Sequence, residues 1–146
     1  MIEETALLEA VMETRQQIDY LWNFFVSVHI AIFALLFIYD QAVESMNYVA
    51  KALGFIGIAI FDYINGKALQ NTYLLLDALH DQYRAVYGQV ERFQPMFYER
   101  FVLSSFQDRP SLVLLTHGMA FLVVTLAFAS RRFIQSNRSF GRRPVD

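Results

Sequence analysis

The stretch FFVSVHIAIFALLF, residues 24–37, holds only two polar side chains, Ser27 and His29. It lies inside a longer run, residues 21–39, that carries no formal charge. A helix rises ~1.5 Å per residue, so that run covers ~28 Å, close to the ~30 Å hydrocarbon core of a bilayer. Tyr20, Trp22 and Tyr39 sit near its ends, where amphipathic rings favour the interface. This reads as a transmembrane helix, and the rest of the chain is read outward from it.

A second run is equally clear. Residues 111–130, SLVLLTHGMAFLVVTLAFAS, contain no Asp, Glu, Lys or Arg, and Pro110 suits the first turn of a helix. Between the two lies a weaker span, residues 48–64, with Lys51 near one end and Asp62 near the other. Lys51 can extend its head to the interface, whereas Asp62 has little reach. Ala50, Gly54 and Gly57 follow one another at i, i+4 and i+7, a small-residue packing ridge of the kind that lets helices approach closely in lipid.

Composition agrees with a membrane class. Hydrophobic residues make up 55 % of the 146 and aromatics 16 %, and the mean hydropathy is +0.31; all are high for a water-soluble domain. The chain has no cysteine, which excludes disulfides, thiolate metal sites and cysteine nucleophiles. Its first residues, MIEETALLEAVMETRQQ, are acidic and lack the basic and apolar regions of a signal peptide. HExxH, Gly-rich phosphate loops and GxSxG are absent.

The formal net charge of -2 hides a strong asymmetry. The tail, residues 131–146, carries Arg131, Arg132, Arg138, Arg142 and Arg143, while residues 1–20 carry Arg15 against five acids. The positive-inside rule places the C-terminus in the cytoplasm and the N-terminus outside, in the periplasm if the membrane is a bacterial inner membrane. The arginines are read as a topology anchor rather than a nucleic-acid site, because no groove-reading motif accompanies them.

Two polar-flanked segments carry helical periodicity outside the membrane. Leu7, Val11, Thr14 and Ile18 continue into Leu21, Phe25, Val28, Ile32 and Leu35 without a change of phase. Leu69, Thr72, Leu76, Leu79, Tyr83, Val86, Val90 and Phe93 form a matching heptad seam in residues 65–109. Gly88 is the expected break, with Pro95 restarting a helix on the way back. The alternative lays Phe97, Phe101, Val102 and Phe106 on the membrane surface. The expected fold is therefore all-α and single-domain. It has an extramembrane helix (2–20), three transmembrane spans (21–39, 48–64, 111–130), and an extramembrane helical segment (65–109) forming a coiled-coil-like bundle with the first.

Three ionisable side chains fall in the outer half of the membrane. Counted from the outer boundary, His29 lies ~12 Å deep, His117 ~9 Å and Asp62 ~3 Å. A hairpin near 40–47 sets Ile58 roughly opposite His29. Intramembrane ionisable groups are costly unless paired. The default reading is polar packing, with Ser27, Thr116, Asn23 and Tyr63 as available partners. The alternatives are axial haem b ligation by His29 and His117, a divalent metal held by His29, His117 and Asp62, or proton handling by Asp62 with a histidine. His80 reads as a solvated flank residue. The function expected is a non-catalytic accessory or scaffold subunit that assembles with itself or with other transmembrane proteins. A redox or metal-binding subunit is the alternative. Membrane lipid is the expected surrounding.

Overall fold

A computed structural model describes residues 3–140; the side chains at 40, 42, 44 and 129–140 fall outside that description. Among the described residues the chain is helical and has no strands. Three long helices carry it: α1 (Glu4–Ile38), α3 (Tyr48–Tyr87) and α5 (Arg109–Phe140). All three are long and apolar enough to cross a membrane. A short helix, α2 (Asp40–Ser45), forms the hairpin between α1 and α3. Asn47 then starts α3 by accepting a hydrogen bond from the Ala50 N–H on its side chain, 2.8 Å.

α1 and α3 run antiparallel along most of their length. Tyr83 donates to Glu4 at one end, 2.9 Å, and Asn65 donates to the Leu21 carbonyl further down, 3.3 Å. α5 fills the open side of this pair, with Val113 packed against Val11, Ile18, Leu69 and Leu76. Leu36, Val43 and Val124 close the end nearest α2. Each fully buried aliphatic side chain stabilises such a core by about 1.5–3 kcal/mol where the alternative is water.

The buried positions follow the expected seven-residue spacing through the middle of the bundle: Val11, Ile18 and Phe25 on α1, and Asp62, Leu69, Leu76 and Tyr83 on α3. The seam is lost towards its ends. Leu35, Val86 and Val90, expected on the seam, are 45 %, 37 % and 53 % exposed.

The reversal outside the spans comes where the sequence places it. Gly88 caps α3, its N–H bonded to the Arg84 carbonyl, and a Cβ there would stand 2.5 Å from that same oxygen. A 3₁₀ turn (Val90–Arg92) leads to Pro95, which opens α4 (Pro95–Phe97), and this widens into a π-helical turn (Tyr98–Val102). The returning helix expected beyond that point does not continue; the chain descends as an irregular strap from 103 to 108. Side chains of α3 satisfy its backbone. Arg84 donates to the carbonyls of Val102 and Ser104 (3.0 and 3.1 Å), and Asp77 accepts from the Phe106 N–H at 2.6 Å. Val102 is fully buried, and Phe101 packs on the core with it. Phe101, Val102 and Phe106 thus pack on the bundle, while Leu103, Ser105, Gln107 and Asp108 are exposed.

Candidate functional site

Each of the three long helices contributes one ionisable side chain to a common buried layer. His29 is 5 % exposed, Asp62 6 % and His117 5 %. His29 Nε2 lies 3.5 Å from Asp62 Oδ1. The pairing corrects the expected register, since Asp62 itself faces His29, one turn from Ile58. It also brings Asp62 level with His29 along the bundle, where unequal positions were expected.

Local helix geometry aims both imidazoles. Nδ1 of His29 donates to the Phe25 carbonyl at 3.0 Å, and Nδ1 of His117 donates to the Val113 carbonyl at 2.9 Å. A carbonyl oxygen can only accept, so each Nδ1 carries a proton and each Nε2 points across the bundle. His117 Nε2 meets Asn65 Oδ1 at 2.9 Å. The Asn65 amide nitrogen donates to the Leu21 carbonyl, so its oxygen faces Nε2 and His117 is held at both ring nitrogens. His29 Nε2 faces Asp62 without a hydrogen bond, and neither that nitrogen nor either carboxyl oxygen has another partner.

Phe25 separates the two histidines. Its ring centroid lies 4.2 Å from that of His29 and 4.1 Å from that of His117. Trp22 approaches His117 from the outer side, 5.8 Å between centroids, and its indole N–H donates to the Tyr73 hydroxyl at 3.1 Å. Gly66 provides the floor beneath His117: a Cβ there would stand 3.3 Å from the ring.

This geometry bears on the ligand readings. A porphyrin ligated by His29 and His117 needs a flat gap between them, and Phe25 fills it. His117 Nε2 is also taken by Asn65. Among the described residues no three His, Asp or Glu side chains form a group able to hold a metal ion. The side chains anticipated as polar partners are not the ones used. Asn23, Ser27 and Tyr63 are exposed, and Thr116 bonds to its own helix at Leu112. Asn65 was missed, although it sits three residues after Asp62 on the same helix face, which is the signal that finds it.

The ridge Ala50, Gly54, Gly57 is not used inside the chain: a Cβ on Gly54 or Gly57 would meet nothing within 4 Å. Arg142 and Arg143 lie outside the described residues, and Arg131, Arg132 and Arg138 are described only as backbone of α5.

His80 corrects another expectation. It is 1 % exposed, packed between Phe101 and Phe106 with ring centroids at 5.0 and 5.1 Å, and its Nδ1 donates to the Phe101 carbonyl at 3.2 Å. Burial, and then the charges of Arg15 and Arg84, hold its pKa below the ordinary value of 6.5. Nearby, Tyr83 is pushed up to about 12 by burial and by its bond to Glu4.

No family model matches the chain, and neither the curated proteins nor the solved structures searched yielded a match.

Proposed function

We propose that the chain is a non-catalytic integral membrane subunit that assembles laterally with a transmembrane helix of a second copy or of another membrane protein. Its N-terminus lies outside and its C-terminus in the cytoplasm. The observation that carries this reading is the open glycine face of α3. Gly54 and Gly57 have empty space over them, while α1, α3 and α5 pack on one another through three apolar clusters elsewhere. Lipid tails give no hydrophobic drive for helix association, so close backbone approach at small residues is what makes such a face adhesive. The periodic seam outside the membrane is spent on internal packing, which turns the assembly reading away from a coiled coil with an external partner and towards the bilayer.

The absence of cysteine makes the test direct. A photoreactive group attached through Gly57→Cys in native membranes is expected to capture a neighbouring polypeptide, and the same group through Leu126→Cys, on the lipid-facing side of α5, is expected not to. Lack of any product at Gly57→Cys overturns the reading. For orientation, a reporter fused after Asp146 is expected to be active only in the cytoplasm.

A further inference from the structure

On a different face of α3 from the glycine ridge, a groove of about 310 Å³ opens between α3 and α5. Ala59, which lines it, stands two residues and so about 200° around the helix from Gly57. Its floor is Asp62, Gly66 and His117; Gly118 and Phe121 form one wall, and Lys67 stands at the outer end. Asp62 is the only acid among the lining residues. Both of its carboxyl oxygens are buried and neither has a hydrogen-bond partner, since the His29 nitrogen at 3.5 Å is beyond bonding reach.

We propose that this groove binds a membrane-dissolved amphiphile with a hydroxylated aromatic head, a phenol or hydroquinone bearing an apolar tail, whose hydroxyl donates to Asp62. Five features lead to this class. The lining is mostly apolar and the groove lies at the depth of a membrane span, so the ligand arrives from lipid. The group it meets is the Asp62 carboxyl, unpartnered on both oxygens, and a ligand hydroxyl can satisfy it in either protonation state. Gly118 leaves a thin slot between the helices, with nothing within 4 Å of a Cβ there, and His117, seated against Gly66, and Phe121 border it. That shape suits a flat ring. The volume is at the low end for ligand sites and accommodates one ring with the first carbons of a tail. Lys67 is five residues, ~7.5 Å, further out than Asp62, where its ammonium can meet a second oxygen on the same ring. This inference does not depend on lateral assembly, since it concerns another face of α3.

The test uses the full chain in lipid nanodiscs, with labelled decyl-hydroquinone as probe and decylbenzene as the hydroxyl-free competitor. The expected result is saturable binding above that of empty discs. Decylbenzene should compete at least tenfold less well, and Gly118→Leu, whose side chain enters the slot, should weaken binding at least tenfold while leaving the melting temperature unchanged. Should Gly118→Leu disturb folding, Leu114→Trp at the mouth of the groove provides the same block from an exposed position. Binding no greater than in empty discs identifies the groove as a water-filled site only and overturns the proposal. Equal competition by decylbenzene, or wild-type binding in both blocked variants, overturns it as well.

Discussion

The outer and inner halves of this bundle bury their side chains by different rules. Outside the spans, Leu7, Val11, Ile18, Leu69, Leu76 and Tyr83 are all 5 % exposed or less and pack as continuous clusters. Within the candidate spans only 17 % of each apolar window is buried, and a polar layer of His29, Asp62, Asn65 and His117 is enclosed there beside the apolar contacts of Leu36, Val113 and Val124. Water drives apolar side chains together, so a half that stands in water needs a full core. Lipid gives apolar side chains no such reason to hide, so in a half that stands in lipid the polar group is what must be enclosed. The same three helices thus carry a continuous apolar core in one half and a buried polar layer in the other.

The sharpest way to break that contrast is one substitution in each half. Leu76→Asp places a carboxylate with no partner in the fully buried outer core. It is expected to cost at least ~3–5 kcal/mol and to unfold the outer half, as read by melting followed by circular dichroism and by new proteolytic cleavage in 65–109. A lipid-facing change of larger volume, Ile56→Ala, should move the melting temperature little, because that side chain is 52 % exposed and its removal leaves no cavity. Equal losses from the two would mean that the halves do not differ.

The next test is truncation within the polar layer. Asp62→Ala leaves His29 Nε2 without its partner, and removing one member of a buried pair typically costs ~3–5 kcal/mol. The double change His29→Ala with Asp62→Ala should cost less than the sum of the two single changes, since it leaves no orphan. Additive losses would show that the 3.5 Å approach carries no coupling.

How far these features were legible in the sequence follows from the same contrast. Uncharged runs long enough for a bilayer are plain from composition, and α1 and α3 were readable as continuous helices because the apolar stripe crosses the boundary in phase. Gly88 and Pro95 mark the reversal by their backbone chemistry. The strap after Val102 was not readable, because its order comes from α3 side chains, Asp77 and Arg84, that bond to its backbone and leave no periodic trace. The site was half readable. His29, His117 and Asp62 stand out as ionisable groups in apolar runs, but their register depends on the hairpin, and a one-turn shift separates Ile58 from Asp62. Phe25 between the two imidazoles was invisible, since an aromatic ring in a membrane span announces nothing.

A smaller effect sharpens the picture on the alkaline side. Tyr83 donates to Glu4, and Glu4 also faces Arg92 at 3.7 Å, so the hydroxyl ties the start of α1 to the end of α3. Tyr83→Phe is expected to cost ~1 kcal/mol at neutral pH. The folded state holds this tyrosine up at about 12, against 10.0 for an ordinary one, so its contribution is complete below pH 10 and is lost as pH rises from 10 towards 12. The wild type should lose stability over that window more steeply than Tyr83→Phe; parallel profiles would remove Tyr83 from the account.

The smallest effect lies on the acid side and belongs to His80, the outer half's own buried polar group. Unlike His117, it has no side-chain hydrogen-bond partner: Nε2 is buried without one, and burial, then Arg15 and Arg84, oppose a second proton more strongly than Asp77 favours it. Above pH ~6.5 the ring is neutral in both folded and unfolded chains and stability is unaffected. As pH falls below 6.5 the unfolded chain takes up a proton that the folded chain resists, so stability declines until the lower folded pKa is reached. One such proton gives a slope of at most about 1.4 kcal/mol per pH unit. Carboxylates elsewhere add their own acid loss, so the decisive measurement is the difference between wild type and His80→Phe, which keeps the ring packing and discards the titration. The variant should be the less pH-dependent of the two between 6.5 and 5. Identical slopes would place His80 in contact with water and so deny the outer half the dry core that sets it apart from the membrane layer.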